Sequence, residues 1–439
     1  MLERKIYDRL LEWRSSESKK CLMLYGARQV GKTYIVREFG KREYKSFIEL
    51  NFIKDPDLKL IFDGDLSAES IYKKITQSID KVKLIPGETL LFFDEIQVCG
   101  NARTSFKFLS EDGKFDVIGS GSLLGLTYAE DADVDVEDVA SLPVGYEDHM
   151  TMYPLDFEEF LWAAGVSKEQ IGDLKEYYDS DMNPPEIVSK KYEELFREYI
   201  VVGGMPEAVA EYSKSRDFTK INTIQSMILE TYRNDISKHA KGAEKTKVRA
   251  CYDAIPRQLA KELKKFQYST VEKGRTSKKY GGSVQWLKDS AVVDVCYNVS
   301  EPVIPLKANE KEEQFKLYIN DSGLLCTMYG FETKKGILNK TLKGNAKGGI
   351  YENVIAGTLV RKGYSLHYYK PDDNHELEFL IEVEGGVAPI EVKSSNNSSV
   401  SLNGFVERFD PPQAFKLIDG GVGRKGDLRI LPHYMIVFI

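Results

Sequence analysis

Cysteine and histidine are both scarce in this 439-residue sequence, with five of each. The cysteines are scattered and form no C-x-x-C pair, and no histidine stands at zinc-type spacing from them. This pattern excludes a disulfide framework and gives no sign of a structural zinc site. We therefore expect reduced thiols and a cytoplasmic location.

Long apolar runs are also missing, since none approaches the ~18 residues that cross a bilayer. The opening stretch, MLERKIYDRLLEWRSS, mixes apolar and charged residues at near-helical spacing, as in an amphipathic helix rather than a signal peptide. We expect no membrane partner. The net charge of −7 argues against a generic nucleic-acid binder, and the length predicts two to four domains.

A phosphate-binding loop is the strongest motif present. The apolar run 21–25 predicts a buried strand, residues 34–39 predict a helix, and the octet between them fits G-x-x-x-x-G-K-[ST], whose backbone N–H groups wrap a di- or triphosphate. Lys32 would reach the β- and γ-phosphates, and the Thr33 hydroxyl would ligate Mg²⁺. The loop residues are Gly26, Ala27, Arg28, Gln29, Val30, Gly31, Lys32 and Thr33.

A second nucleotide signature is the apolar strand predicted over 89–95, which ends in two carboxylates. Asp94 would hold Mg²⁺, and Glu95 would orient or deprotonate the attacking water. Ser120 ends a further predicted strand. It is either a sensor of the γ-phosphate or simply a turn former, and the sequence leaves both open.

Five phrases together resemble a prokaryotic AAA-type ATPase family, in which a P-loop core precedes a C-terminal domain of uncharacterised function. They are GARQVGKT, LLFFDEIQ, FDVIGSGSLLG, LPVGYEDHMTMYPLDFEEFLW and YIVVGGMPEAVAEY. The resemblance implies an enzyme that uses ATP and Mg²⁺. Residues 339–342, NKTL, favour ATP over GTP, because they lack the Asp of the N-K-x-D motif that recognises guanine. AAA-type cores often work as rings, which leaves a homo-oligomer open.

The predicted organisation is an α/β P-loop core over 1–150, a helical lid over 151–240, a winged helix over 241–308 and a restriction-endonuclease-like α/β domain over 309–439. A basic residue usually neutralises charge on the γ-phosphate during hydrolysis. Arg103 and Arg233 are candidates for this role, and each could equally be a surface salt-bridge partner.

Residues 241–280 form the basic segment. Twelve Lys and Arg against four acids give it a charge of +8, which leaves −15 for the remainder. Helices expected over 247–255, 256–266 and 281–291, followed by a strand-like tail, describe a winged helix-turn-helix, and the family resemblance supports this module. DNA is the expected partner. The alternative is that these cations only coat helices packed on the ATPase.

The C-terminal region carries a carboxylate constellation. Glu352 is expected on a helix, and a predicted hairpin places Glu378 opposite Glu391 and Glu376 opposite Lys393. We expect these side chains on one face and the intervening apolar ones in the core.

Glu352, Glu378 and the pair Glu391–Lys393 resemble the metal signature of restriction-endonuclease-like folds. The resemblance implies that the acids hold Mg²⁺ and that Lys393 helps to activate water. The alternative is that the same sequence pattern arises from alternating charges on an exposed strand, without any metal site. The predicted function is ATP hydrolysis coupled to DNA binding or processing, and the alternative is a nucleotide-dependent switch whose C-terminal module is catalytically dead.

Overall fold

The computed structural model describes residues 2–121, 145–239, 243–271, 277–393 and 399–439. The chain divides into two compact units, Glu3–Tyr153 with Asp289–Ala291, and Pro154–Lys288 with Val292–Ile439. Within the described ranges, every helix is too short or too polar to span a membrane.

The first unit is an α/β layer structure. Its strands are β1 (Cys21–Tyr25), β2 (Ser46–Asn51), β3 (Thr89–Asp94), β4 (Asp116–Ser120) and β5 (Glu147–Thr151). Its helices are α1 (Lys5–Ser15), α2 (Lys32–Glu43), α3 (Ala68–Ser78), α4 (Gly100–Thr104) and α5 (Phe106–Asp112), with 3-10 turns at Pro56–Phe62 and Ile96–Val98.

These strands form one parallel sheet in the order β2-β3-β4-β1-β5. β1, β3 and β4 are buried at every position, as expected for central strands covered on both faces. The predicted parallel core is confirmed. Strand β3 ends one residue earlier than expected, because Glu95 adopts a left-handed conformation with φ of 57°. Asp94 and Ser120 pair directly and end neighbouring strands at the same edge.

The second unit holds the remaining described elements. Its helices are α6 (Phe157–Ala163), α7 (Lys168–Asp179), α8 (Glu186–Val202), α9 (Pro206–Ser215), α10 (Phe218–His239), α11 (Ala243–Leu259), α12 (Tyr268–Val271), α13 (Ser277–Asp289), α14 (Ser322–Tyr329), α15 (Phe331–Leu338), α16 (Asn345–Arg361) and α17 (Val400–Phe409). Its strands are β6 (Val293–Val299), β7 (Glu310–Ile319), β8 (His367–Tyr369), β9 (Leu377–Val383), β10 (Gly386–Val392), β11 (Ala414–Ile418), β12 (Gly423–Lys425) and β13 (Leu428–Pro432), with 3-10 turns at Leu306–Asn309 and His433–Phe438.

A mixed sheet in the order β12-β13-β11-β10-β9-β8-β6-β7 is the framework of this unit. β6 lies where we expected a strand-like tail, and it pairs antiparallel with β7 to form a two-stranded ribbon. However, β6 also pairs in parallel with β8, so the ribbon is the edge of the C-terminal sheet. A separate winged helix over 241–308 is therefore not confirmed.

The helices predicted as a lid pack within the second unit. The Gly204 N–H donates to the Asp321 carboxylate at 2.6 Å, and Asn183 exchanges hydrogen bonds with the backbone of Val422. These contacts group 154–239 with the C-terminal sheet. The lid role over 151–240 remains a prediction.

One helix replaces the two that we expected over 247–266. α11 continues through Pro256 and ends at Leu259. Proline is tolerated there because it stands in the last turn, where it removes one intrahelical hydrogen bond.

Candidate functional site

The phosphate-binding loop connects β1 to α2 at the carboxyl edge of the parallel sheet. Gly31 is the N-cap of α2, with φ of 97°, and Gln29 is also left-handed, with φ of 64°. Lys32 and Thr33 open the helix, so both side chains start at its positive end. This is the strand–loop–helix arrangement that binds a phosphate group through backbone N–H groups.

Close packing holds the loop in place. A Cβ at Gly26 would lie 2.2 Å from the Met152 carbonyl oxygen, so that position has no room for a side chain. The buried Arg4 guanidinium donates to the Val30 carbonyl at 3.2 Å and to the Tyr153 carbonyl at 2.7 Å. Arg4 thus ties the loop to the segment that follows β5.

Asp94 is the centre of the polar contacts at this edge. The Thr33 hydroxyl lies 3.1 Å from both carboxylate oxygens, the Ser120 hydroxyl donates at 2.5 Å, and the Asn51 amide donates at 2.8 Å. Burial raises the pKa of Asp94, and the neighbouring Glu95 acts in the same direction, while the bonds from Ser120 and Thr33 oppose it. The result is a fixed acceptor beside the loop.

Lys32 and Glu95 complete the site. Lys32 Nζ donates to the carbonyls of Gly26 and Ala27 at 2.8 and 2.9 Å. Burial lowers the pKa of Lys32 to about 8, although Glu95 and Asp94 favour its charged form. Glu95 follows β3 and accepts a hydrogen bond from the Gln97 amide at 2.5 Å. A cation, two carboxylates and a hydroxyl therefore meet at one sheet edge.

The donor set at this edge fits Mg²⁺. Thr33 and Asp94 offer hydroxyl and carboxylate oxygens, which this hard cation prefers. The Asn51 amide and the Ser120 hydroxyl each donate a hydrogen bond to the Asp94 carboxylate and fix its position. Sequence reasoning missed Asn51 and Arg4; the polar end of β2 was a signal for Asn51, whereas nothing in the pattern marked Arg4.

The two arginine candidates have protein partners. Arg103 is buried, and its guanidinium pairs with Glu147 at 2.8 Å and donates to the Tyr25 hydroxyl at 2.9 Å. Arg233, in the second unit, pairs with Asp253 at 3.0 Å and with Glu230. These contacts favour structural ion pairs, and the burial of Arg103 differs from the surface pair that we considered.

The basic segment is only partly described, because Lys241, Lys273 and Arg275 and the side chains of Lys278 and Lys279 lie outside the described residues. Of the rest, Lys264 pairs with Glu352 at 2.9 Å, and Arg257 and Lys261 donate to Thr270. Several of these cations are thus engaged within the second unit.

The C-terminal hairpin has the predicted register. Phe379 pairs with Ile390, the last pair of the ladder, and this is the register that we expected to bring Glu378 opposite Glu391. Both carboxylates are buried, so the face that carries them is covered as well as the apolar face. Lys393 contacts Glu378 at 2.9 Å, whereas Glu376, expected opposite Lys393, pairs with Lys316 at 2.6 Å.

Lysine and serine partners occupy these carboxylates. Lys316, on β7, is fully buried and lies 3.6 Å from Glu352, and Ser399 donates to Glu391. Burial works against a charged lysine, yet Glu376, Tyr318 and Glu352 hold the pKa of Lys316 well above its usual value. Burial also raises the pKa of Glu378.

Glu352, Glu378 and Glu391 thus have lysine and serine partners, and their role as metal ligands remains a prediction. Among the described residues, no group of three or more His, Cys, Asp or Glu side chains is placed to hold a metal ion. The ammonium groups of Lys264, Lys316 and Lys393 supply positive charge to these buried carboxylates.

Comparisons with known proteins agree with the first unit's geometry. Residues 18–161 match a family model described as an AAA domain, and residues 193–335 and 347–427 match two domains of unknown function, DUF8612 and DUF4143. No curated protein matches the chain. Residues 18–161 thus resemble an AAA domain.

Two solved structures are similar at low identity. A Walker-type ATPase of Pyrococcus abyssi has a TM-score of 0.44 and 16% identity, over 75% of this chain and 96% of that one. A signal-transduction ATPase with a tetratricopeptide-repeat sensor, from Pyrococcus horikoshii, has a TM-score of 0.25 and 12% identity, over 82% of this chain and 46% of that one. Both TM-scores are too low to support an inference.

Proposed function

We propose that this chain, through its AAA-type domain, binds Mg²⁺·ATP at the 26–33 loop and hydrolyses it. The observation that carries the proposal is the contact of Thr33 with Asp94 beside Lys32 at the carboxyl edge of the sheet. Thr33 and Asp94 would hold Mg²⁺, which when bound draws charge from the phosphate oxygens. Lys32 would leave its two carbonyl partners and bind the β- and γ-phosphates.

Glu95 is the proposed base. Its position immediately after β3 places it next to the metal-holding Asp94, and its left-handed backbone turns the chain sharply at that point. A carboxylate there can orient a water molecule toward the γ-phosphate and accept its proton.

Binding and turnover of ATP by two variants test this assignment. Lys32→Ala should lose ATP binding, while Glu95→Gln should keep it and lose turnover by roughly 10²–10⁴-fold, as expected for a positioned base. Glu88→Gln, a partly exposed acid paired with Lys45 in the same unit, is the control. ATP binding by Lys32→Ala with parental affinity would refute the proposal.

We further propose that ATP turnover is coupled to DNA binding by the basic segment. The support is its charge of +8 in an otherwise acidic chain, which favours attraction of a phosphate backbone. Lys264 is a poor residue for testing this, because its substitution would also break the pair with Glu352.

DNA binding by the basic segment is better tested by reversing the charge of lysines that do not pair with Glu352. Lys245→Glu with Lys265→Glu should reduce DNA affinity and any stimulation of ATP turnover by duplex DNA, with a flatter salt dependence. Lys190→Glu, on an exposed helix position outside the segment, should leave both unchanged. If no nucleic acid alters the parental rate, the alternative of a nucleotide-dependent switch is favoured.

For the C-terminal module we propose binding without cleavage. The supporting observation is that lysines and a serine, rather than open ligand positions, surround Glu352, Glu378 and Glu391. Supercoiled plasmid should remain intact with the parent protein in Mg²⁺ or Mn²⁺. Cleavage that is lost in Lys393→Ala would establish the nuclease instead.

A further inference from the structure

The second unit contains a cavity of about 190 Å³ that none of the proposed activities uses. It lies between α8, α15, α16 and the turn after β11. Its charged lining residues are Glu193, Arg197, Lys340, Lys347 and Asp419. Two of them, Lys340 and Lys347, belong to the Lys- and Gly-rich stretch 334–349.

Arg197 is the unusual member of this set. Its side chain is only 15% exposed, yet its contact with Glu193 is 3.8 Å long, beyond hydrogen-bond distance. Its Nε is buried and has no acceptor among the described groups. A guanidinium is costly to bury unless its donors are used, and it presents a planar fork that matches a carboxylate or a phosphate.

The two acids in the cavity already have cationic partners. Lys340 lies 3.2 Å from Glu193, and Lys347 lies 2.7 Å from Asp419. His433 Nδ1 is also 3.4 Å from Asp419. Burial alone would raise the pKa of Asp419, but the bonds from His433 and Lys347 hold it well below its usual range. The Arg197 guanidinium, by contrast, has no hydrogen-bond partner at its buried Nε.

We propose that this cavity is a binding site for a small monocarboxylate with an apolar body. Three cations against two acids leave one positive charge, which a monoanion balances and a dianion such as phosphate exceeds. Arg197 binds the carboxylate through its fork. Ile337, Leu342 and Tyr351 line the same cavity and provide apolar contact for the rest of the molecule.

Thermal unfolding of the full chain with benzoate as the probe tests this site. The Lys32→Ala background removes the other anion site, so the result does not depend on the ATPase proposal. Benzoate at about 10 mM, above a Kd of about 1 mM, should raise Tm by roughly 2 °C or more. Arg197→Gln should abolish the shift. Leu342→Phe, which narrows the cavity and keeps Arg197, should weaken it.

Arg249 offers a matched control. It also stands on a helix four residues from an acid, at 3.7 Å from Asp253, but its side chain is 51% exposed and lines no part of the cavity. Arg249→Gln should keep the parental shift. Absence of any shift in the Lys32→Ala protein, a shift that survives in Arg197→Gln, or an equal or larger shift with inorganic phosphate would each overturn the proposal.

Discussion

The Thr33 hydroxyl lies 3.1 Å from both carboxylate oxygens of Asp94, although 61 residues separate the two along the chain. The contact exists because β1 and β3 both flank β4 in a parallel sheet, so their carboxyl ends share one edge. It joins the two nucleotide signatures into one site. Its chemistry suggests direct tests of which residues hold the metal and which sense the nucleotide.

The Ser120 hydroxyl donates a hydrogen bond to the Asp94 carboxylate, so we expect Ser120 to affect ATP turnover by positioning that carboxylate. Ser120→Ala should lower ATP turnover about 10–100-fold by freeing the carboxylate, with most of the loss recovered at high Mg²⁺. Steady-state rates over a Mg²⁺ titration check this. If Ser120 instead senses the γ-phosphate, Ser120→Ala would lower kcat even at saturating Mg²⁺ and would leave the Mg²⁺ midpoint unchanged.

ATP affinity should fall as the pH rises above about 8. The pKa of Lys32 in the nucleotide-free protein is about 8, so above that pH the lysine is neutral and must gain a proton to bind phosphate. Each pH unit above 8 should cost up to about tenfold in affinity, and below 8 the effect vanishes. Titration calorimetry between pH 7 and 9.5 measures this. The residual affinity of Lys32→Gln should lack the slope, and a parental affinity that stays flat would contradict the prediction.

Gly204→Ala should destabilise the second unit by about 1–3 kcal/mol or more, as overpacking does. A Cβ there would lie 2.0 Å from the Leu155 carbonyl oxygen, and backbone cannot move aside cheaply. Gly172→Ala is the matched control, since nothing lies within 4 Å of its Cβ inside α7. It should stabilise by about 0.5–1 kcal/mol. Urea unfolding of both variants distinguishes them, and equal effects would count against the packing.

Lys334→Met should stabilise the protein at pH 7. Burial lowers the pKa of Lys334 to about 8, even though Cys326 and Asp321 favour the charged form. The unfolded chain therefore binds more protons than the folded one between about pH 8 and 10.5, and stability rises with pH across that window. The gain at pH 7 should be roughly 2 kcal/mol, after loss of the bond to Gln225, and should shrink toward pH 10.

The neighbouring Lys335 is the control for this substitution. Its side chain is half exposed and pairs with Glu332, so Lys335→Met should change the free energy of unfolding by less than about 0.5 kcal/mol. Denaturant unfolding at pH 7 and pH 10 gives both values. A gain for Lys334→Met that is the same at the two pH values would show that burial of charge is not the cause.

Local patterns predicted the elements of the first unit well. The glycine spacing of the loop, the apolar runs of β1 and β3 and the acid pair at 94–95 each depend on neighbours in sequence. The register of the C-terminal hairpin was also predictable, because a short turn dictates which residues oppose each other. Such features need only local backbone geometry and side-chain periodicity.

Contacts between segments that are remote in sequence could not be predicted in this way. The sequence by itself determined the phosphate loop, its strand and helix, and the register of the C-terminal hairpin. Only the tertiary structure decided that β6 joins β8, that Lys316 and Lys264 reach Glu352, and that Arg197 lines a cavity. The reason is that charge pairing and burial depend on distances between remote segments, which packing of the whole chain sets and which no local spacing encodes.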